Sequence, residues 1–149
     1  MPFLRVRLYH VVVHIMKVLI AERDCKVIDD ITIAFSLVLP DWELITTDSG
    51  KECLDKAKGN SLDLVILGLD LADMSGFDVL DEIRSFSGAA VIALYSKNDS
   101  MSIVRALNSG ADQCIAKPLR QLEFIARVRA VLRGRLKENA MLDVRGKRS

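Results

Sequence analysis

The chain has 149 residues, about the length of one domain. Half of the residues are apolar and 28% are charged, which excludes a disordered polyampholyte and a collagen-like repeat. The net charge of +1 hides an asymmetry, because residues 16–119 carry a net charge of −7 and residues 120–149 one of +6. An acidic body argues against nucleic-acid binding by the core. The basic end is compatible either with DNA binding or with simple exposure to solvent.

The first fifteen residues differ from the rest of the chain. Met16 begins a segment that is typical of a natural amino terminus, so residues 1–15 are interpreted as an upstream extension or an artefact. Leu4, Val6 and Leu8 alternate with polar residues, which leaves an extra strand as the alternative. No apolar run reaches about 18 residues, so no membrane span is expected.

The cysteines indicate a reducing compartment. Cys25, Cys53 and Cys114 are odd in number and form no Cys-x-x-Cys motif, so we expect neither disulfides nor a metal site. We therefore expect a cytoplasmic protein.

From Met16 onward, short apolar runs alternate with segments of helical period. The predicted elements are, in chain order, a strand at 18–21, a helix at 24–39, a strand at 42–46, a helix at 51–58, a strand at 62–67, a helix at 77–86, a strand at 89–94, a helix at 100–109, a strand at 113–116 and a helix at 119–136. Five strand–helix units predict an α/β fold, a doubly wound (βα)₅ domain with a five-stranded parallel sheet. Residues 16–136 would form this domain, and residues 137–149 a basic linker or tail. Function is expected at the carboxyl ends of the strands.

Three stretches resemble the receiver domain of two-component response regulators, which has a flavodoxin-like fold. They are KVLIAERD at 17–24, DLVILGLDLADMSGFDVL at 63–80 and SGADQCIAKP at 109–118. The helix LEFIARVRAVLR at 122–133 is similar to that of the OmpR/PhoB-like subgroup, which carries a winged-helix DNA-binding domain. The resemblance covers about residues 16–136 and implies a cis peptide bond before Pro118.

The resemblance implies a phosphorylation pocket. In the family, an aspartate after the third strand accepts a phosphoryl group, an acidic pair after the first strand helps to hold magnesium, and a lysine contacts the phosphoryl oxygens. A Ser or Thr after the fourth strand carries the signal. Magnesium prefers hard oxygen ligands, and phosphoryl transfer needs positioned charge.

This chain departs from that pattern at the decisive positions. Gly68 stands at the phosphoacceptor position, Glu22 and Arg23 at the acidic pair, and Tyr95 at the switch, while Lys117 is retained. The formal charge of the pocket is +1, against −2 in the family. We therefore expect a degenerate pocket that binds no magnesium or other cofactor. Lys117 is expected to pair with Glu22, and Arg23 with Glu22 or Asp24.

The resulting expectation is a pseudo-receiver, a non-enzymatic interaction module that transmits signals independently of phosphorylation. It would form a homodimer through the fourth helix, fifth strand and fifth helix, with Asp112 and Arg127 at the interface. A histidine kinase or an output domain would be further partners, and DNA would be contacted only by a C-terminal domain outside this chain. Two alternatives stay open: an active receiver phosphorylated on Asp70, and a sensor that binds a small ligand at the strand ends.

Overall fold

The computed structural model describes residues 14–96 and 99–145, and for residues 136–145 the backbone alone. The expected extension at 1–15 therefore lies outside the described residues, except for residues 14 and 15. The elements are, in chain order, β1 (Lys17–Ala21), α1 (Cys25–Val38), β2 (Glu43–Thr47), α2 (Gly50–Gly59), β3 (Leu64–Gly68), α3 (Gly76–Phe86), β4 (Ala90–Ser96), α4 (Ser100–Asn108), β5 (Gln113–Lys117) and α5 (Gln121–Arg145).

The five strands form one parallel sheet in the order β2-β1-β3-β4-β5. This confirms the predicted (βα)₅ architecture, and every predicted element is present with its predicted type. All four of the shorter helices begin at a side-chain cap, supplied by Asp24, Ser49, Ser75 and Asp99. The Lys117–Pro118 peptide bond is cis, as the resemblance implies.

The central strands β1, β3 and β4 are largely buried on both faces of the sheet and are therefore mostly apolar on both sides. Along β1, Val18 and Ile20 pack against α1 and α5, whereas Leu19 and Ala21 face α2, α3 and α4. The two layers of helices thus cover both faces of the sheet. None of the helices within the described residues is long and apolar enough to cross a membrane.

The last helix differs from the prediction. The sequence predicts an end near residue 136, but α5 continues to Arg145. Gly134 does not end the helix, because the residues after it are mostly strong helix formers such as Leu, Lys, Glu, Ala and Met. The predicted tail at 137–149 is therefore helical up to residue 145.

Candidate functional site

The predicted pocket positions meet at one edge of the sheet. Glu22 directly follows β1, Gly68 ends β3, Tyr95 lies near the end of β4, and Lys117 ends β5. Because β1, β3, β4 and β5 are neighbours in a parallel sheet, their carboxyl ends lie side by side. The topology thus places the four side-chain positions around one crevice.

Glu22 is the buried charge of this crevice. Its side chain is only 1% exposed, and Lys117 Nζ lies 3.2 Å from each of its carboxylate oxygens. The backbone N–H of Asp24 donates a further hydrogen bond of 2.9 Å to Glu22 Oε2. Lys117 is 18% exposed, so the pair is largely shielded from water. The expected Glu22–Lys117 pair is therefore confirmed.

Gly68 provides the space for this carboxylate. A β-carbon at position 68 would collide with Glu22 Oε1 and would lie 3.2 Å from Glu22 Cδ. The Glu22 carboxylate therefore lies where a side chain at position 68 would begin. The absence of a side chain at Gly68 and the inward position of Glu22 depend on each other.

Arg23 does not pair with Glu22 or Asp24, so that expectation is wrong. Glu22 points inward to Lys117, and the Asp24 carboxylate caps α1 by accepting a hydrogen bond from Lys26 N. Arg23 instead approaches Asp70, with 3.5 Å between guanidinium nitrogen and carboxylate oxygen. Both side chains are exposed, so the pair adds little stability.

Tyr95 is half-buried and packs against the core beside α3 and α4. It lines a cavity of about 260 Å³ together with Asp70, Asp99, Ser102 and Lys117. The cavity brings the alternative acceptor Asp70 to the same crevice as Lys117. No hydrogen bond of the Tyr95 hydroxyl is found within the described residues.

The donor set does not fit the magnesium ion that the family resemblance implies. Of the pocket positions, only Glu22 carries a carboxylate, and both of its oxygens already accept hydrogen bonds. Magnesium takes several hard oxygen ligands. Among the described residues, no group of three or more His, Cys, Asp or Glu side chains is arranged to hold a metal ion.

Asp73, in the loop after β3, binds the amino end of helix α2. Its carboxylate accepts hydrogen bonds from Gly50 N at 2.8 Å, from Lys51 N at 3.0 Å and from Ser49 Oγ at 3.0 Å. These bonds, chiefly those from the two backbone amides, lower the pKa of Asp73 to about 2. Asp73 therefore holds the amino end of α2 as an anion. The partners of Asp73 lie more than twenty positions away in the chain, so the local sequence does not indicate this role.

The two residues expected at a dimer interface make contacts within the chain. Asp112 pairs with Arg84 at 3.0 Å and with Arg135 at 2.8 Å. Arg127 contacts Glu123 and Gln113, each at 3.3 Å. Sequence reasoning missed Arg84 and Arg135, because neither lies near Asp112 in the chain. The dimer role of Asp112 and Arg127 stays a prediction.

Comparison with known proteins identifies relatives of the whole domain. The family model described as the response regulator receiver domain matches residues 18–129. The transcriptional regulatory protein KdpE of Mycobacterium tuberculosis is 42% identical over 98 residues, which cover 66% of this chain and 43% of that protein. The DNA-binding response regulator MtrA of Mycobacterium leprae is 34% identical over 117 residues, covering 78% of this chain and 51% of that protein. The chain thus spans about half the length of these relatives.

Solved structures share the fold. A CheY-like receiver domain protein from Methanospirillum hungatei superposes with a TM-score of 0.76 at 22% identity, covering 84% of this chain and 99% of that one. A two-component response regulator from Clostridium difficile gives a TM-score of 0.73 at 27% identity, covering 79% and 96%. With the sheet order, the cis Lys117–Pro118 bond and the family match over residues 18–129, this chain belongs to the response regulator receiver domain family.

Proposed function

We propose that this chain is a pseudo-receiver, a non-enzymatic signalling module that acts in the cytoplasm without being phosphorylated. The observation that carries the proposal is the buried Glu22–Lys117 pair beside Gly68. Lys117 is the residue that would contact phosphoryl oxygens, and here an internal carboxylate already neutralises it. Gly68 has no side chain to accept a phosphoryl group.

A second argument is the net charge around the crevice. Glu22, Arg23 and Lys117 sum to +1, and among the described side chains only the exposed Asp70 balances Arg23. A magnesium ion would have to displace Lys117 from Glu22 and then find further oxygen ligands. Two like charges 4 Å apart repel by about 4 kcal/mol at an effective dielectric constant of 20. The pocket therefore favours its internal ion pair over a dication.

The family match and one exposed surface indicate which partners the chain binds. Met101, Val104 and Leu107 are spaced three residues apart on α4, so they share one apolar face that is open to solvent. We propose a homodimer through α4, β5 and α5, with this face at its centre. The relative MtrA is described as DNA-binding, which supports a DNA-binding output domain as the element that the module regulates.

Intact-mass measurement after incubation with acetyl phosphate and magnesium tests the proposal. We expect no gain of a phosphoryl group in the wild-type chain. Gly68→Asp combined with Arg23→Asp should restore magnesium-dependent phosphorylation, because it adds a nucleophile and a metal ligand and removes a cation. Glu22 must then swing away from position 68, which a flexible carboxylate end allows.

The control is Gly59→Asp combined with Arg133→Asp, which makes the same charge change at exposed positions far from the crevice. This variant should stay unphosphorylated. A stoichiometric mass gain in the wild-type chain that is lost in Asp70→Asn would contradict the proposal and identify an active receiver. A folded Gly68→Asp/Arg23→Asp variant that binds no magnesium would show that the pocket positions are wrongly assigned.

A further inference from the structure

A cluster of charged side chains lies at the opposite end of the sheet from Glu22. Asp112 precedes β5, and its Oδ2 accepts hydrogen bonds from Val91 N at 2.8 Å, Arg84 at 3.0 Å and Arg135 at 2.8 Å. Its Oδ1 accepts a bond from Arg135 Nε at 3.2 Å. The contact with Arg135 is therefore bidentate, which is the strong and directional form of an arginine–carboxylate pair.

The same arginines hold the loops that lead into β4 and β5. Arg84 donates to the carbonyl oxygens of Ala89 at 2.6 Å and Gly110 at 2.9 Å. Arg135 donates to the carbonyl oxygen of Gly88 at 2.6 Å. Three helix-and-loop segments thus converge on one carboxylate, whose side chain is 27% exposed.

Arg135 is the last α5 side chain that the structure describes, and it lies between two different parts of the helix. Phe124, Ile125 and Val128 bury the first half of α5 in the core. Ten further helical residues, 136–145, follow Arg135 and span about 15 Å. A helical segment of this length is marginal in water without support from a longer helix. The contact at Arg135 directly precedes these ten residues, which we call the outer part of α5.

We infer that Asp112 and Arg135 form a latch that fixes the outer part of α5 to the body of the domain. The latch makes residues 136–145 a rigid arm instead of a flexible linker, so a partner bound to the arm is held at a fixed orientation to the sheet. It assigns to Asp112 an intrachain role in place of the expected intersubunit pair, since both of its oxygens are already bonded within the chain. The inference does not depend on phosphorylation, so phosphorylation of the chain would leave it standing.

Hydrogen–deuterium exchange of the full chain, read by mass spectrometry, tests the latch. In Arg135→Gln and in Asp112→Asn, amides of residues 136–145 should exchange severalfold faster than in the wild-type chain, while β1 and β3 keep their protection. Arg135→Lys keeps the charge but loses the bidentate contact and should give an intermediate rate. Arg133→Gln is the matched control, because it removes an exposed arginine two residues away on the same helix, and it should match the wild type.

Three results would overturn the inference. The first is exchange of 136–145 in the wild-type chain at the rate of an unstructured peptide. The second is an equal rate in Arg135→Gln and the wild type, which is decisive even if Asp112→Asn fails to fold. The third is loss of a dimer in Asp112→Asn, measured by light scattering, with no change in exchange. That last result would return Asp112 to an intersubunit role.

Discussion

Gly68 shows how a single position governs the crevice. A β-carbon there would collide with Glu22 Oε1 and lie 3.3 Å from the backbone oxygen of Ala21. We expect Gly68→Ala to lower the free energy of unfolding by about 1–3 kcal/mol, the usual cost of overpacking a filled site. In a Glu22→Ala background the carboxylate is gone, so the same substitution should cost much less. Urea unfolding of the four proteins measures both effects.

Gly88→Ala provides the control for this cycle. A β-carbon at position 88 would meet no atom within 4 Å, so the free energy of unfolding should change by less than about 0.5 kcal/mol. If Gly68→Ala costs the same with and without the Glu22 carboxylate, that carboxylate is not what fills the space beside Gly68.

Individual contacts could be predicted only where few partners were available. The Glu22–Lys117 pair followed from the sequence, because both residues lie at carboxyl ends of parallel strands, on one edge of the sheet, and no other acid remained at the degenerate positions. The partner of Arg23 did not, since its choice depends on side-chain directions after β1. Glu22 turns inward and Asp24 caps α1, which leaves Asp70, 47 positions away in the chain, as the acid beside Arg23.

At the scale of an element, Asp73 links the loop after β3 to the amino end of α2. Its folded pKa of about 2 lies below the usual value near 4. The ionised carboxylate therefore stabilises the fold fully above about pH 4, and this contribution is lost as the pH falls through about 2. We expect Asp73→Asn to be less stable than the wild type at pH 7, and its stability to fall less between pH 4 and pH 2.

Asp70→Asn is the matched control, because Asp70 lies in the same loop and contacts only Arg23 among the described side chains. Its stability should fall with pH as steeply as that of the wild type. Thermal unfolding followed by circular dichroism at several pH values gives both curves. Identical pH profiles for Asp73→Asn and the wild type would show that the cap at α2 does not respond to ionisation.

The elements themselves were predictable to a greater degree than the contacts. The spacing of apolar residues along the chain predicted all ten helices and strands, because each element buries a face in one of two well-defined layers. The end of α5 was not predictable from the same signal. The contact of Arg135 with Asp112 joins residues 23 positions apart, so no local apolar pattern indicates it.

At the scale of the whole molecule, charge is divided between the two ends of the sheet. One end holds the Glu22–Lys117 pair, and the other holds Asp112 between Arg84 and Arg135. The acidic body and the basic end inferred from composition meet in one of these pairs, Asp112–Arg135. Between these ends, α4 presents apolar side chains that nothing within the described residues covers.

The dimer proposed for that face leads to a prediction about self-association. Val104 lies at its centre and is 52% exposed. Val104→Asp would place an unpaired carboxylate in the interface, so dimerisation should weaken roughly tenfold or more, corresponding to at least about 1.4 kcal/mol. Leu37→Asp introduces the same change at a 72% exposed apolar position on α1, away from this face, and should leave association unchanged. Sedimentation velocity over a range of concentrations measures both variants. A wild-type chain that stays monomeric throughout, or equal weakening in both variants, would contradict a dimer built on α4.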